Sequence, residues 1–298
     1  SDPDLQAKRG QKAKECLEEL YQEDPSRENG EALAHIYKIL HELPKAASLY
    51  FEMANRDPDV SEAFDFQAAL IQAEYDPALA LESFERLSHN RTTIGAESAY
   101  RMLELLFDQS DYEEIFCRQE TLLETIAEDK KNLASLWIGK ALLASGQADR
   151  ALETLLTIEK KDQTEPILFT LIETAYECGR LDLFDEILPG LPLKNPLSEQ
   201  AKLLYALLLK KEGRIDAAKN ALKELISSEK NSEPISSQLQ PIIERALLEQ
   251  IALEYDSMSW KTCTELARSF LKKKPNQNPS AWHLLASSSS RLAQQHKD

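Results

Sequence analysis

The stretch NLASLWIGKALLASGQADRALETLL, residues 132–156, decides the fold. Its apolar residues recur at helical spacing on both sides of Gly146, so it reads as two helices joined by a turn that needs a residue tolerant of positive φ. The same arrangement is repeated twice. Leu136–Gly146–Leu156 is followed by Leu168–Gly179–Leu188 and Leu203–Gly213–Leu225, with the turn glycines 33 and 34 residues apart. The rest of the chain agrees with helices. Leu, Ala, Glu and Lys dominate, and only eight glycines occur in 298 residues. That argues against glycine-loop nucleotide folds and turn-rich β folds.

A period of about 34 residues is the signature of the tetratricopeptide repeat, and residues 132–164 resemble that family position by position. Gly139 matches its small eighth position, Gly146 its turn and Ala151 its small twentieth position. Residues 27–58 resemble it too, through Ala34, Tyr37, Ala46, Tyr50 and the terminal Pro58. Two helices of one repeat cross closely, so each needs a small residue with larger ones filling the grooves around it. Ala34, Ala68, Gly139 and Ala206 serve on the first helices, and Ala46, Ala80, Ala151 and Ala218 on the second. Pro25, Pro58 and Pro275 stop helices, while Pro44 and Pro77 fall in first turns, where a missing N–H costs nothing.

Laid outward, the register gives repeats at 27–60, 61–95, 96–131, 132–164, 165–198, 199–232 and 242–275, about nine-tenths of the chain with the flanking helices. The resemblance implies an all-α, right-handed superhelical solenoid of antiparallel helix pairs with no sheet. Three parts are expected. Residues 1–26 form an N-terminal helix, spanning 4–22. Residues 27–232 hold the repeats. Residues 233–298 hold a polar insertion, a last degenerate repeat and a C-terminal capping helix at 279–294 that turns Ser287–Ser290 to solvent. In the degenerate repeat Cys263 takes a small position and Trp260 the turn region. Two segments depart from the pattern. Leu188–Pro196 holds too much proline for helix, and 227–241, rich in Ser and Pro, reads as a polar insertion: a surface loop, or a hinge or docking loop.

Reactive motifs are absent from the sequence. His35, His41, His89, His283 and His296 form no H-E-x-x-H and sit near no cysteine at ligand spacing. No G-x-S-x-G, G-x-G-x-x-G or phosphate-loop pattern occurs. No catalytic residue, metal or cofactor is therefore expected. Cys16, Cys117, Cys178 and Cys263 are far apart and read as small core residues of a reducing compartment, and Trp137, Trp260 and Trp282 read as core. Asn90-Arg91-Thr92 is a formal glycosylation sequon. No apolar run is long enough to span a membrane. A cytoplasmic location is expected. The chain begins at Ser1, however, so an upstream signal or anchor would not show.

The net charge is −16, and its distribution is uneven. Residues 1–130 hold 29 Asp and Glu against 13 Lys and Arg, whereas 131–298 hold 22 of each. An acidic protein repels phosphate backbones, which disfavours nucleic acid as a partner. By resemblance, the ligand face of the family carries repeat positions 2, 5, 9 and 12. These give Glu28, Glu31 and His35, then Glu62 and Asp65, then Glu97, Tyr100, Glu104 and Phe107. Farther along come Leu133, Leu136, Lys140 and Leu143, then Phe169, Glu173 and Tyr176, then Leu203 and Leu207. The groove is thus expected to be acidic at its start and apolar and aromatic from the middle. That suits a protein or peptide partner with a basic segment and apolar anchors. Chaperone-binding members of the family hold a terminal carboxylate with Lys and Asn. Here Glu31, Asp65, Tyr100, His35, Ala69 and Glu104 occupy those positions, and the three carboxylates among them would repel it. The expectation is a non-catalytic scaffold or adaptor. The alternatives are the recognition part of a longer enzyme, or a solenoid that self-assembles into a homo-oligomer through an exposed terminal helix.

Overall fold

The computed structural model describes residues 3–191, 195–230, 239–273 and 279–295, with side chains except at 3–7, 228–230 and 273. Sixteen α-helices and no strand are found among the described residues. They are α1 Pro3–Glu23, α2 Arg27–Ile39, α3 Leu43–Arg56, α4 Ser61–Tyr75, α5 Pro77–Ser88, α6 Thr93–Asp108, α7 Tyr112–Thr125 and α8 Lys131–Ala144. Then follow α9 Ala148–Leu156, α10 Glu165–Glu177, α11 Leu181–Ile187, α12 Pro196–Lys211, α13 Ile215–Lys230, α14 Gln240–Asp256, α15 Trp260–Lys273 and α16 Pro279–Gln295. They divide into two compact units, Ser1–Gln147 and Ala148–Asp298.

One joint recurs between first and second helices. At Gly146, Gly179 and Gly213 the backbone turns to φ 73°, 70° and 76°. The turn residue's N–H donates to the carbonyl three residues back and the next N–H to the carbonyl five back, as in Gly213 to Lys210 (3.0 Å) and Arg214 to Leu209 (2.9 Å). This pair satisfies carbonyls that the helix end would otherwise orphan. The same pair of bonds is made at His41, Ser110 and Met258, at φ 57°, 60° and 58°. These non-glycine joints carry no sequence signal. The α4–α5 joint instead uses Asp76, whose side chain caps α5 by accepting from the Leu79 N–H at 3.2 Å, with Pro77 at the first helical position. Thr92 caps α6 in the same way, accepting from the Gly95 N–H at 2.9 Å. Gly95 is demanded by close approach, since a Cβ there would lie 2.1 Å from the Asn90 carbonyl oxygen.

The small positions are buried as the pattern requires: Ala34 and Ala46, Ala68 and Ala80, Ala206 and Ala218 are all at or below 1% exposure. Two pairs break the rule. In α6 and α7 the equivalent residues are Leu103 and Ile115, and in α10 and α11 they are Ile172 and Phe184, all just as buried. Bulky contact residues hold helix axes farther apart. A cleft opens beside each of these pairs, about 740 Å³ between α5, α6 and α7 and about 320 Å³ beside α9, α10 and α11.

Contacts within each unit define an inner layer. In the first, α4, α6 and α8 touch in succession, and in the second α10, α12, α14 and α16 do. The second helices of neighbouring repeats make no comparable contact among the described residues, so the even-numbered helices form the closer-packed wall.

Several details differ from the sequence reading. The helix before the polar insertion continues through Ser227 and Ser228 to Lys230, because nothing in that stretch breaks it. Residues 231–238, Pro275 and Asn278 lie outside the described residues. Within the proline-rich stretch Leu188–Gly190 form one 3-10 turn and Pro196 opens α12, while residues 192–194 lie outside the described residues. Ser288 faces inward, not to solvent: it is fully buried and bonded to Thr264 at 3.0 Å. Of the cysteines only Cys263 is core; Cys16 and Cys117 are exposed. Trp282 is 49% exposed, and Trp137 and Trp260 are half-buried, so none of the three is a fully buried core residue. Met258, not Trp260, makes the turn before α15.

Candidate functional site

The inner layer of the first unit carries an aromatic strip across α6 and α8. On α8, Leu133, Trp137 and Lys140 recur at spacings of four and three residues and so share one face. On α6, Glu97, Tyr100, Glu104 and Phe107 do the same. The two faces meet. The Trp137 ring lies 4.6 Å from Phe107, centroid to centroid and tilted by 55°, and its indole N–H donates to the Tyr100 hydroxyl at 3.4 Å. Tyr112, at the start of α7, extends the cluster with its ring 5.7 Å from Phe107. Tyr100 is buried beneath, while Phe107 and Trp137 are half-buried and Leu133 is 41% exposed. Burial, opposed by the Trp137 N–H and reinforced by Glu104, pushes the Tyr100 phenol above its ordinary pKa.

Cations line this strip. Lys130 and Arg101 lie 4.8 and 6.0 Å from the Tyr100 ring centre, and Lys140 lies 5.0 Å from that of Trp137. Arg101 forks between Glu97 (3.1 Å) and Glu104 (2.8 Å), and Lys130 also pairs with Glu97.

Three of the four acids at the start of the expected groove are already engaged by the chain itself. Glu31 pairs with Arg27 and Asp65 with Arg86, each at 2.8 Å. Glu62 accepts from Asn90 (3.0 Å) and Thr92 (2.6 Å), so two sequon residues serve the fold. Glu28 and His35 are exposed on α2. The expected apolar band is also thinner than the positions imply. Leu136 is buried in the first unit, and Leu203 (1%) and Leu207 (9%) belong to the core of the second. They are unavailable to a ligand because the neighbouring inner helices already cover them. Leu143 is half-buried on α8. In the second unit Phe169, Glu173 and Tyr176 are half-buried on α10, and Lys211 of α12 lies 5.8 Å from the Tyr176 ring centre.

Sequence reasoning missed Trp137, Arg101 and Lys130 as members of the strip. The signal that finds them is the repeat itself. Residues about one period apart lie side by side, as Tyr100 and Trp137 (37 apart) and Glu97 and Lys130 (33 apart) do. Among the described residues, no three His, Cys, Asp or Glu come together to hold a metal ion, and no helix is long and apolar enough to cross a membrane.

No protein-family model matches the chain, and neither does any curated protein. Solved structures do. BtubC (BKLC) from P. vanneervenii is similar at 15% identity over 94% of each chain, with a TM-score of 0.26. The Cut9–Hcn1 hetero-tetramer of the APC/C is similar at 13% identity over 98% of this chain and 74% of that one, with a TM-score of 0.29. The P58(IPK) TPR domain is similar at 13% identity over 99% and 96%, with a TM-score of 0.28. Scores this low carry no argument about activity, and the helix pairs and joints described above define the fold without them.

Proposed function

We propose that the chain is a protein-binding scaffold that holds a polypeptide against the inner layer of its first compact unit. One observation carries this reading: the Phe107–Trp137 stack, fixed from below by Tyr100 and flanked by exposed Leu133. Aromatic anchors dominate interface energetics, and a stack locked before binding loses little further freedom when a ligand arrives. Arg101, Lys130, Glu97 and Glu104 beside it are tied to one another, so they frame the strip and leave its centre to apolar contact. The negative charge of residues 1–130 acts at longer range, where it steers encounter more than it holds the complex.

The test compares the full chain with its Leu133→Asp and Phe107→Ala variants in affinity capture, followed by surface plasmon resonance on the captured partner. A partner held through the strip dissociates faster from both variants while their helical circular dichroism is unchanged. Equal binding by all three proteins rules the strip out.

A further inference from the structure

The charge pattern of the strip bears on the chemistry of what it holds. Glu97 is compensated by both Arg101 and Lys130, and Glu104 by Arg101. Lys140 differs. It is half-buried with its ammonium beside the Trp137 ring, and no carboxylate of its own unit pairs with it among the described residues. An incoming lysine or arginine would meet three cations, Arg101, Lys130 and Lys140, and the carboxylates beside them, Glu97 and Glu104, already hold one or two cations each. An incoming carboxylate meets an ammonium that no carboxylate of this unit engages among the described residues, beside acids already paired with Arg101 and Lys130.

We infer that the segment held on this strip places an Asp or Glu side chain at Lys140, next to an apolar residue at Leu133 and Trp137, and not a basic one. This rests on the scaffold reading above and reverses the basic segment that composition alone suggests. The spacing follows from the helix. Leu133 and Lys140 are seven residues apart on α8, roughly 10 Å along its axis. The apolar and acidic groups of the ligand are therefore about two turns apart if it is helical, or about three residues apart if it is extended.

The probe is a random-peptide display library panned on the immobilised full chain. Clones are kept only if they fail to bind the Leu133→Asp protein. The corresponding synthetic peptides are then titrated by fluorescence anisotropy against wild-type and Lys140→Glu protein. Leu133 is exposed and Lys140 half-buried on the helix surface, so both variants are expected to fold, with circular dichroism as the check. The expected result is enrichment of Asp or Glu at the stated spacing, a loss of roughly two- to five-fold in affinity on Lys140→Glu, and recovery when the peptide's acid is changed to Lys. Strip-dependent clones that carry Lys or Arg at that place overturn the inference and leave the scaffold reading intact. So does an unchanged affinity for Lys140→Glu. If no clone depends on Leu133, the scaffold reading fails and the inference falls with it.

Discussion

The α12–α13 pair and the α10–α11 pair are neighbours in the same unit and solve the same packing problem in opposite ways. The first brings two helices together on Ala206 and Ala218, the second on Ile172 and Phe184, and all four side chains are almost wholly buried. The small pair has no room to grow. The large pair has no slack to lose, and an apolar cleft lined by Leu156, Leu168 and Ile187 opens beside it. The repeat pattern thus prescribes burial at these positions more strictly than it prescribes size.

Truncation breaks this comparison most sharply. Phe184→Ala empties the centre of the large pair and should cost about 3–5 kcal/mol, read from urea unfolding of the full chain. A cost below about 1 kcal/mol would mean that the neighbouring cleft collapses to fill the gap. The reverse experiment, Ala218→Leu, overpacks the small pair and should cost about 1–3 kcal/mol. An unchanged midpoint would place Ala218 away from the helix crossing.

The joints give a smaller effect. Gly213 is at φ 76° and Met258 at φ 58°. Gly213→Ala should destabilise by about 1 kcal/mol. Met258→Gly should stabilise by up to about 1 kcal/mol, because relief of a left-handed Met, about 1–2 kcal/mol, exceeds the added chain entropy of about 0.5–1 kcal/mol. Thermal midpoints moving the same way for both would show that φ does not limit these turns.

The smallest effect concerns the edge of another small pair, α2 and α3. Hydrogen bonds from Lys14 and then Lys45 hold the Glu42 carboxyl below its ordinary pKa. A depressed folded-state value means that the stabilisation is present above the unfolded pKa, about 4.3 for Glu, and is lost as pH falls through the folded one. The difference in melting temperature between wild type and Glu42→Gln should therefore be steady from neutral pH down to about pH 5 and vanish in stronger acid. A difference that grows in acid would contradict the assignment.

What was legible from the sequence divides along the same physical line. The glycine joints and the alanine crossings announce themselves because only a few residue types tolerate a positive φ or a close helix approach. The joints at His41, Ser110 and Met258 do not, since the fold imposes the same hydrogen bonds on residues with no preference for them. Acidity was legible as a total and misleading as a surface. Asp65 and Glu97 read as free acids until Arg86 and Lys130, 21 and 33 residues away, are seen beside them. Trp137 was hidden for the same reason, because its apolar character suits core and interface equally, and only Tyr100 and Phe107 one repeat earlier distinguish the two.

In each unit the principal helix–helix contacts join helices that are one or two places apart in the chain. Among the described residues, no strand or loop returns from a distant part of the sequence to complete either core. Such a chain has no single keystone. Its structure can nucleate at any joint and spread to both sides, and loss of one pair leaves its neighbours with their own contacts. Hydrogen exchange should then decline stepwise from the outermost helices inward, each pair opening as its own cooperative segment. A ligand bridging α6 and α8 would act as a rivet, slowing exchange most in the helices it spans and progressively less with each repeat beyond them.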